Sequence, residues 1–169
     1  MSSLTPLGIV HTAISLVALG AGLYALVRDR EILAQNTLGK IYIWATVLTC
    51  LTGFGIFEHG GFGKPHALGV LTLFVLAVAA LPGGTRFGAR WRYFTASCYT
   101  LTLFFHFIPG ITETFTRVPA GAPLFSSPED PNLEKVVGIV FIVFVVIIWL
   151  QVRRLRKMAG QFGGLRSAA

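Results

Sequence analysis

The sequence has few charged residues. Asp, Glu, Lys and Arg together make up 12% of the 169 residues, about half of their share in an ordinary soluble domain. Hydrophobic residues make up 54%, and the mean hydropathy is +0.71. Because a soluble fold cannot keep so large an apolar share away from water, this composition indicates an integral membrane protein.

The motifs of many enzymes are missing as well. The chain has no G-x-G-x-x-G or Walker sequence, which excludes the common nucleotide-binding loops, and no nucleophile elbow of a serine hydrolase. The absence of C-x-x-C-H excludes covalent haem attachment, and no H-x-x-x-H or H-E-x-x-H sequence provides a metal site on one helix. The two cysteines, Cys50 and Cys98, are expected at different depths and therefore too far apart for a disulfide.

Apolar stretches long enough to cross a bilayer, which takes about 20 helical residues, occur five times. We therefore predict an all-α fold in which the whole chain, residues 1–169, forms one transmembrane bundle of five helices. The predicted spans are Thr5–Val27, Leu38–Phe57, Pro65–Leu81, Tyr93–Ile111 and Val136–Val152.

The basic residues are distributed unequally between the two sides of this bundle. Eleven of the fourteen fall on one side, which the positive-inside rule assigns to the cytoplasm. The N-terminus is then outside and the C-terminus inside, in the cytoplasmic membrane of a bacterium. The net charge of +7 thus indicates topology and contact with anionic membrane lipid, not nucleic acid. The inner basic residues are Arg28, Arg30, Lys40, Arg86, Arg90, Arg92, Arg153, Arg154, Arg156, Lys157 and Arg166.

Two segments lie outside the membrane in this arrangement, an outer loop over residues 112–135 and a basic cytoplasmic tail over residues 153–169. Leu124 and Phe125 in the outer loop are interpreted either as a lid on the bundle or as part of a solvated connector. Span four is the most polar, which predicts a central position. Span five is apolar all round and is expected at the periphery.

All four histidines fall at the outer edge of the predicted bundle. His11 and His106 are expected at a similar depth, above which His59 and His66 flank the hairpin between spans two and three. Histidine is costly inside a bilayer and is the commonest metal ligand, so this cluster is the candidate functional site.

Three interpretations of the cluster are open. In the first, a b-type haem is held by two histidines on opposite helices, either His11 with His106 or His11 with His66. In the second, a bare copper, zinc or iron ion is bound by three or four of the histidines together with Glu113 or Glu58. In the third, the histidines are structural and hydrogen-bond to loop carbonyls or to water.

Helical register relates further residues to two of the histidines. Ala18 and Gly22 lie on the same face of span one as His11, and such small residues leave room for a neighbouring helix or a flat cofactor. Glu113 lies two turns beyond His106, with Pro109 between them, where we expect a bend. The Glu113 carboxylate is expected to orient a ligating imidazole, to ligate a metal itself or to lie in solvent.

Three short runs, HTAISLVALG from His11, TLGKIYIW from Thr37 and HALG from His66, resemble small multi-pass bacterial inner-membrane proteins of unknown function. In those families, histidines also lie at helix ends. The second span begins with a glycine, a basic residue, any residue and a tyrosine. The resemblance covers roughly the first hundred residues and implies a helical bundle in a bacterial inner membrane, without an activity. The haem interpretation draws on an analogy to b-type membrane cytochromes. Because the chain has no second histidine pair near the cytoplasmic face, at most one haem is expected.

These observations predict a histidine-based haem or metal site near the periplasmic face, with a role in redox chemistry or electron transfer. Its partner would be a quinone or a periplasmic redox protein. The alternative is a non-catalytic accessory subunit, packed through span five and the basic tail into a larger membrane complex or a homo-oligomer. If the protein is an enzyme, it is expected to be a haem- or metal-dependent oxidoreductase component.

Overall fold

Five helices make up most of the chain in a computed structural model, which describes residues 5–56, 61–83, 87–119 and 121–167. Within those ranges no residue forms a strand. The all-α prediction is therefore confirmed for the described part of the chain. The helices are α1 (Pro6–Arg28), α2 (Thr37–Gly53), α3 (Lys64–Ala80), α4 (Ala89–Arg117) and α5 (Pro131–Ser167).

Three of the helices contain segments long and apolar enough to cross a membrane. Helices α2 and α3 have 17 residues each, which corresponds to about 25 Å at a rise of 1.5 Å per residue. The structure thus supports a helical membrane protein with three long candidate spans, a coarser result than the five spans predicted from the sequence. The three segments are Pro6–Arg28, Arg90–Arg117 and Pro131–Gln161.

Polar side chains set where the first two helices begin. The Thr5 hydroxyl accepts a hydrogen bond from the Gly8 N–H at 3.1 Å, and the Asn36 side chain accepts one from the Gly39 N–H at 2.7 Å. Both contacts satisfy amide groups that have no partner within their own helix. They define the starts of α1 and α2, the two helices that form the most extensive packing pair.

Helices α4 and α5 extend beyond the predicted spans. The sequence predicts a loop from residue 112, but Thr112 and Thr116 continue α4, and their hydroxyls donate to carbonyls four residues earlier at 2.8 and 2.7 Å. The segment predicted as a tail is helical as far as Ser167. Hydropathy marks only the part of a helix that suits lipid, whereas the helix itself continues while its backbone groups are paired.

Helix α4 occupies the centre of the bundle, because it packs against α1, α3 and α5. This confirms the central position predicted for the most polar span, and α5 packs against α4 from one side. The Tyr42 side chain of α2 and the Leu103 side chain of α4 are fully buried. The Tyr42 hydroxyl lies 2.7 Å from the Thr102 hydroxyl, which joins α2 to α4 below the histidines.

The outer connection between α4 and α5 folds back onto α4. The Phe125 N–H donates to the Phe115 carbonyl at 3.0 Å, and the two rings lie edge to face with centroids 5.9 Å apart. Leu124, in contrast, is 66% exposed. Of the pair interpreted as a lid, Phe125 thus packs on the last turns of α4, and Leu124 does not.

Candidate functional site

His11 lies in the second turn of α1 and is half-buried. Its Nδ1 lies 3.1 Å from the hydroxyl oxygen of Thr52 on α2. That hydroxyl donates its single hydrogen to its own helix, 2.8 Å from the Leu48 carbonyl. With its hydrogen in that bond the hydroxyl accepts from His11, and on this basis we assign the ring proton to Nδ1. The neutral imidazole then presents an unprotonated Nε2.

His106 on α4 also contacts a threonine hydroxyl of α2, but it does so through Nε2 instead of Nδ1. Its Nε2 lies 3.0 Å from the hydroxyl of Thr46, a fully buried residue of α2. The Thr46 hydroxyl donates its hydrogen to the Tyr42 carbonyl at 2.8 Å, so it accepts from His106 Nε2. This assigns the proton to Nε2 and leaves Nδ1 of His106 unprotonated.

Both imidazoles are thus oriented by threonines of one helix. Thr46 and Thr52 are separated by about 9 Å along α2, at a rise of 1.5 Å per residue. The sequence predicts a similar depth for His11 and His106, but their contacts with α2 place His106 deeper in the bundle. The two rings thus contact the same helix, at threonines six residues apart.

Glu113 lies at the outer rim of this pair. Its carboxylate forms an ion pair with Arg117, one turn further along α4, and its side chain is 56% exposed. The carboxylate also interacts electrostatically with His11. Glu113 is thus an acidic residue that is paired at the surface, seven residues beyond His106 on α4.

His66 has a different role. Its Nδ1 accepts a hydrogen bond from the Gly63 N–H at 3.2 Å and so closes the first turn of α3. The Phe54 and Phe62 rings pack on the imidazole, with centroid distances of 6.5 and 5.4 Å, and the residue is only 7% exposed. These contacts are those of a helix-capping residue in an aromatic environment, as the structural interpretation expects.

His59 and Glu58, the other two residues of the predicted cluster, lie outside the described residues. Across the ranges that the structure does describe, no three His, Cys, Asp or Glu side chains form a group that could hold a metal ion. The described part of the site is therefore the pair of His11 and His106 with Glu113 at its rim. His66 is not joined to that pair.

Neighbouring side chains pack closely on the small-residue face of α1. Ala18 is fully buried, and a Cβ atom added at Gly22 would lie 2.7 Å from the Leu103 side chain and 2.9 Å from the Tyr42 ring. Neighbouring helices thus fill the small-residue face of α1. The sequence predicts that either a neighbouring helix or a flat cofactor lies on this face. In the structure, neighbouring helices lie there.

Sequence reasoning did not identify Thr46 and Thr52 as partners of the histidines. Hydroxyl residues are common in membrane helices, where they usually donate to the carbonyl four residues earlier. The available signal is their spacing, because Thr46, Thr49 and Thr52 follow one another at intervals of three in α2. Only the arrangement of α1, α2 and α4 shows that two of the three meet an imidazole.

Comparison of the chain with protein families, with curated proteins and with solved structures finds no match.

Proposed function

We propose that the protein is a multi-pass membrane protein that binds one copper ion through His11 and His106 and takes part in electron transfer. The observation that carries this proposal is that each imidazole lies beside a threonine hydroxyl of α2. Each imidazole donates to a hydroxyl whose own hydrogen is already used, so His11 Nε2 and His106 Nδ1 both offer a lone pair. Metal-binding histidines are commonly oriented in this way through their other ring nitrogen.

The chemistry of the two ligands favours copper among the candidate metals. Imidazole nitrogens bind zinc, copper, iron and nickel, and divalent copper binds most tightly in the usual order of affinities. Two neutral imidazoles add no negative charge, so the nearby Glu113 carboxylate would offset part of the charge of a cation.

The proposal includes five membrane spans, an outer N-terminus and a location in a bacterial inner membrane. The unequal distribution of the basic residues supports this orientation, and the apolar character of α3 supports a shorter span beside the three long ones. With this topology the outer ends of α1 and α4 meet at the periplasmic face. His11 and His106 are then within reach of a periplasmic or quinone redox partner.

Copper titration of the full-length protein in detergent, followed by metal analysis, tests the proposal. We expect about one copper ion per chain and a loss of at least tenfold in affinity for His11→Gln and for His106→Gln. His66→Gln is the matched control, because His66 caps α3 and should leave copper binding unchanged. Equal affinity in all four proteins would overturn the proposal, and a Soret band in the dithionite-reduced protein would restore the haem interpretation.

A second candidate function is that of an accessory subunit, and the length of α5 favours it. Its 37 residues correspond to about 55 Å, well beyond the roughly 30 Å thickness of the hydrocarbon core. The helix therefore carries basic residues such as Arg153 and Arg156 into the cytoplasm, where they would contact another subunit. A chain that binds no copper and migrates in a native membrane extract as part of one defined larger complex would support this candidate.

A further inference from the structure

A groove of about 620 Å³ lies between the inner ends of α1 and α5. This volume is within the range of about 300–1,000 Å³ that is usual for small-molecule sites. Its wall is apolar and is formed by Leu26 and Val27 of α1 and by Ile147 and Leu150 of α5. Arg30 and Arg154 also line it, just beyond the apolar residues of the two helices. The groove is therefore amphipathic, with its basic part at the cytoplasmic end of both helices.

The carboxylates next to the groove are already paired with other cations. Asp29 accepts two hydrogen bonds from Arg28, at 2.8 and 2.7 Å, and these lower the pKa of its carboxyl group. Glu31 is buried and accepts from Arg92 at 2.7 Å. Among the described residues, no carboxylate pairs with the guanidinium group of Arg30 or Arg154. Both cations therefore remain available for an anion from outside the chain.

The basic end of the groove is built by buried polar contacts. Gln151 is only 5% exposed, accepts from the Thr100 hydroxyl at 2.9 Å and donates to the Arg30 carbonyl at 2.9 Å. Arg30 has a φ of 64°, a left-handed conformation that is unfavourable for a residue with a side chain. Arg154 donates to the Asp29 carbonyl at 3.2 Å, from the opposite wall. These bonds hold the two arginines at the same end of the groove.

We propose that this groove binds one anionic phospholipid, with an acyl chain along the apolar wall and the phosphate between Arg30 and Arg154. An occupant of this position needs an apolar part within the inner leaflet and an anionic part at the headgroup level. Basic pockets between helices on the cytoplasmic side bind anionic headgroups by this chemistry. The inference rests on the membrane placement of α1 and α5, and it is independent of the copper site at the opposite end of the bundle.

Native mass spectrometry of the full-length protein in a non-ionic detergent, with phosphatidylglycerol or phosphatidylcholine added, tests this inference. We expect one phosphatidylglycerol molecule to remain bound at lower lipid concentration than phosphatidylcholine. A basic residue near an anionic lipid surface contributes about fivefold in affinity, so Arg30→Gln and Arg154→Gln should each weaken phosphatidylglycerol binding by about that factor. Arg30→Gln is the cleaner variant, because Gln151 contacts only the backbone of Arg30.

Two further variants separate the groove from general charge effects. Arg90→Gln removes the same charge on the inner side but does not line the groove, so it should bind phosphatidylglycerol like the unchanged protein. Val27→Trp fills the apolar wall while both arginines remain, and it should reduce binding of the lipid. Circular dichroism and a monodisperse elution profile verify that each variant is folded.

Three outcomes would overturn the inference. The first is equal loss of lipid in Arg90→Gln and Arg30→Gln, which would indicate a general electrostatic effect. The second is equal binding of phosphatidylglycerol and phosphatidylcholine. The third is binding of inorganic phosphate that is as tight as binding of phosphatidylglycerol, which would indicate a site for a free anion instead of a phospholipid.

Discussion

The Nε2 atom of His106 lies 3.0 Å from the hydroxyl oxygen of Thr46, and this contact joins α4 to α2 inside the bundle. Because the Thr46 hydroxyl donates its hydrogen to a backbone carbonyl, the contact has a defined direction, from imidazole to hydroxyl. It determines which nitrogen of the ring is available to a ligand. In the proposed copper site, Thr46 would therefore orient the His106 imidazole without being a ligand itself.

Thr46→Val should weaken copper binding by about 10–100-fold, the usual range for loss of a group that orients a ligating histidine. Valine keeps the shape of the side chain but leaves the His106 N–H without its acceptor, at a cost of about 1–3 kcal/mol in unfolding free energy. Copper titration and thermal unfolding in detergent measure the two effects.

Thr49→Val is the matched control for that change, because Thr49 lies one turn further along α2 and its hydroxyl bonds to the Ala45 carbonyl of the same helix. Removing such a bond is nearly neutral, so copper affinity should be retained. If both variants bind copper with the same affinity, Thr46 does not orient His106 for a ligand.

Glu113 and Arg117 should have opposite effects on the same site. Glu113→Gln removes negative charge that interacts with His11, so copper binding should weaken, whereas Arg117→Gln removes a competing cation and should strengthen it. Both side chains are largely exposed, so each change is expected to be about two- to fivefold and to diminish at high salt. Copper titrations at low and high ionic strength measure this. Unchanged affinity in both variants would confine the site to the histidines.

The sequence predicts the all-helical fold well, because long apolar stretches mark the helices. It does not predict the roles of the individual histidines. His66 and His106 both lie near a predicted helix end, yet the first caps α3 through the Gly63 N–H and the second bonds to Thr46 on another helix. This difference depends on the rotation of each helix about its axis, which interhelical packing determines.

The ends of α4 and α5 are also not predicted by the sequence. The apolar stretch of span four ends near residue 111, but α4 continues to Arg117, and the Thr112 and Thr116 hydroxyls bond to carbonyls of the same helix. A hydropathy pattern reports the lipid-facing part of a helix. Where the helix itself ends depends on the pairing of backbone groups and side chains beyond the membrane.

Fusions of a reporter that is active only in the cytoplasm test the proposed topology. The reporter should be active when placed after Arg86 or at the C-terminus, and inactive when placed in the Gly60–Gly63 segment or in the Pro119–Pro131 segment. The unequal distribution of basic residues is the physical reason, because positive charge resists transfer across the membrane. Activity in the Pro119–Pro131 segment would reverse the orientation and place His11 and His106 near the cytoplasm.

The packing of α1 against its neighbours provides a prediction that does not involve a metal. A Cβ atom at Gly22 would lie 2.7 Å from Leu103 and 2.9 Å from the Tyr42 ring, whereas a Cβ atom at Gly20 would meet nothing within 4 Å. Tyr42 cannot easily move, because its hydroxyl is bonded to Thr102 and its side chain is fully buried. Gly22→Ala should therefore destabilise the protein by about 1–3 kcal/mol, the usual cost of overpacking.

Gly20→Ala is the control in the same helix, and it should be neutral or stabilising by up to about 1 kcal/mol, since alanine favours helix more than glycine does. Thermal or denaturant unfolding in detergent measures both variants, and the difference between them removes the shared effect of helix propensity. Equal stability of the two variants would mean that α1 is not packed against Tyr42 as described. The small-residue face of α1 would then have room for a haem.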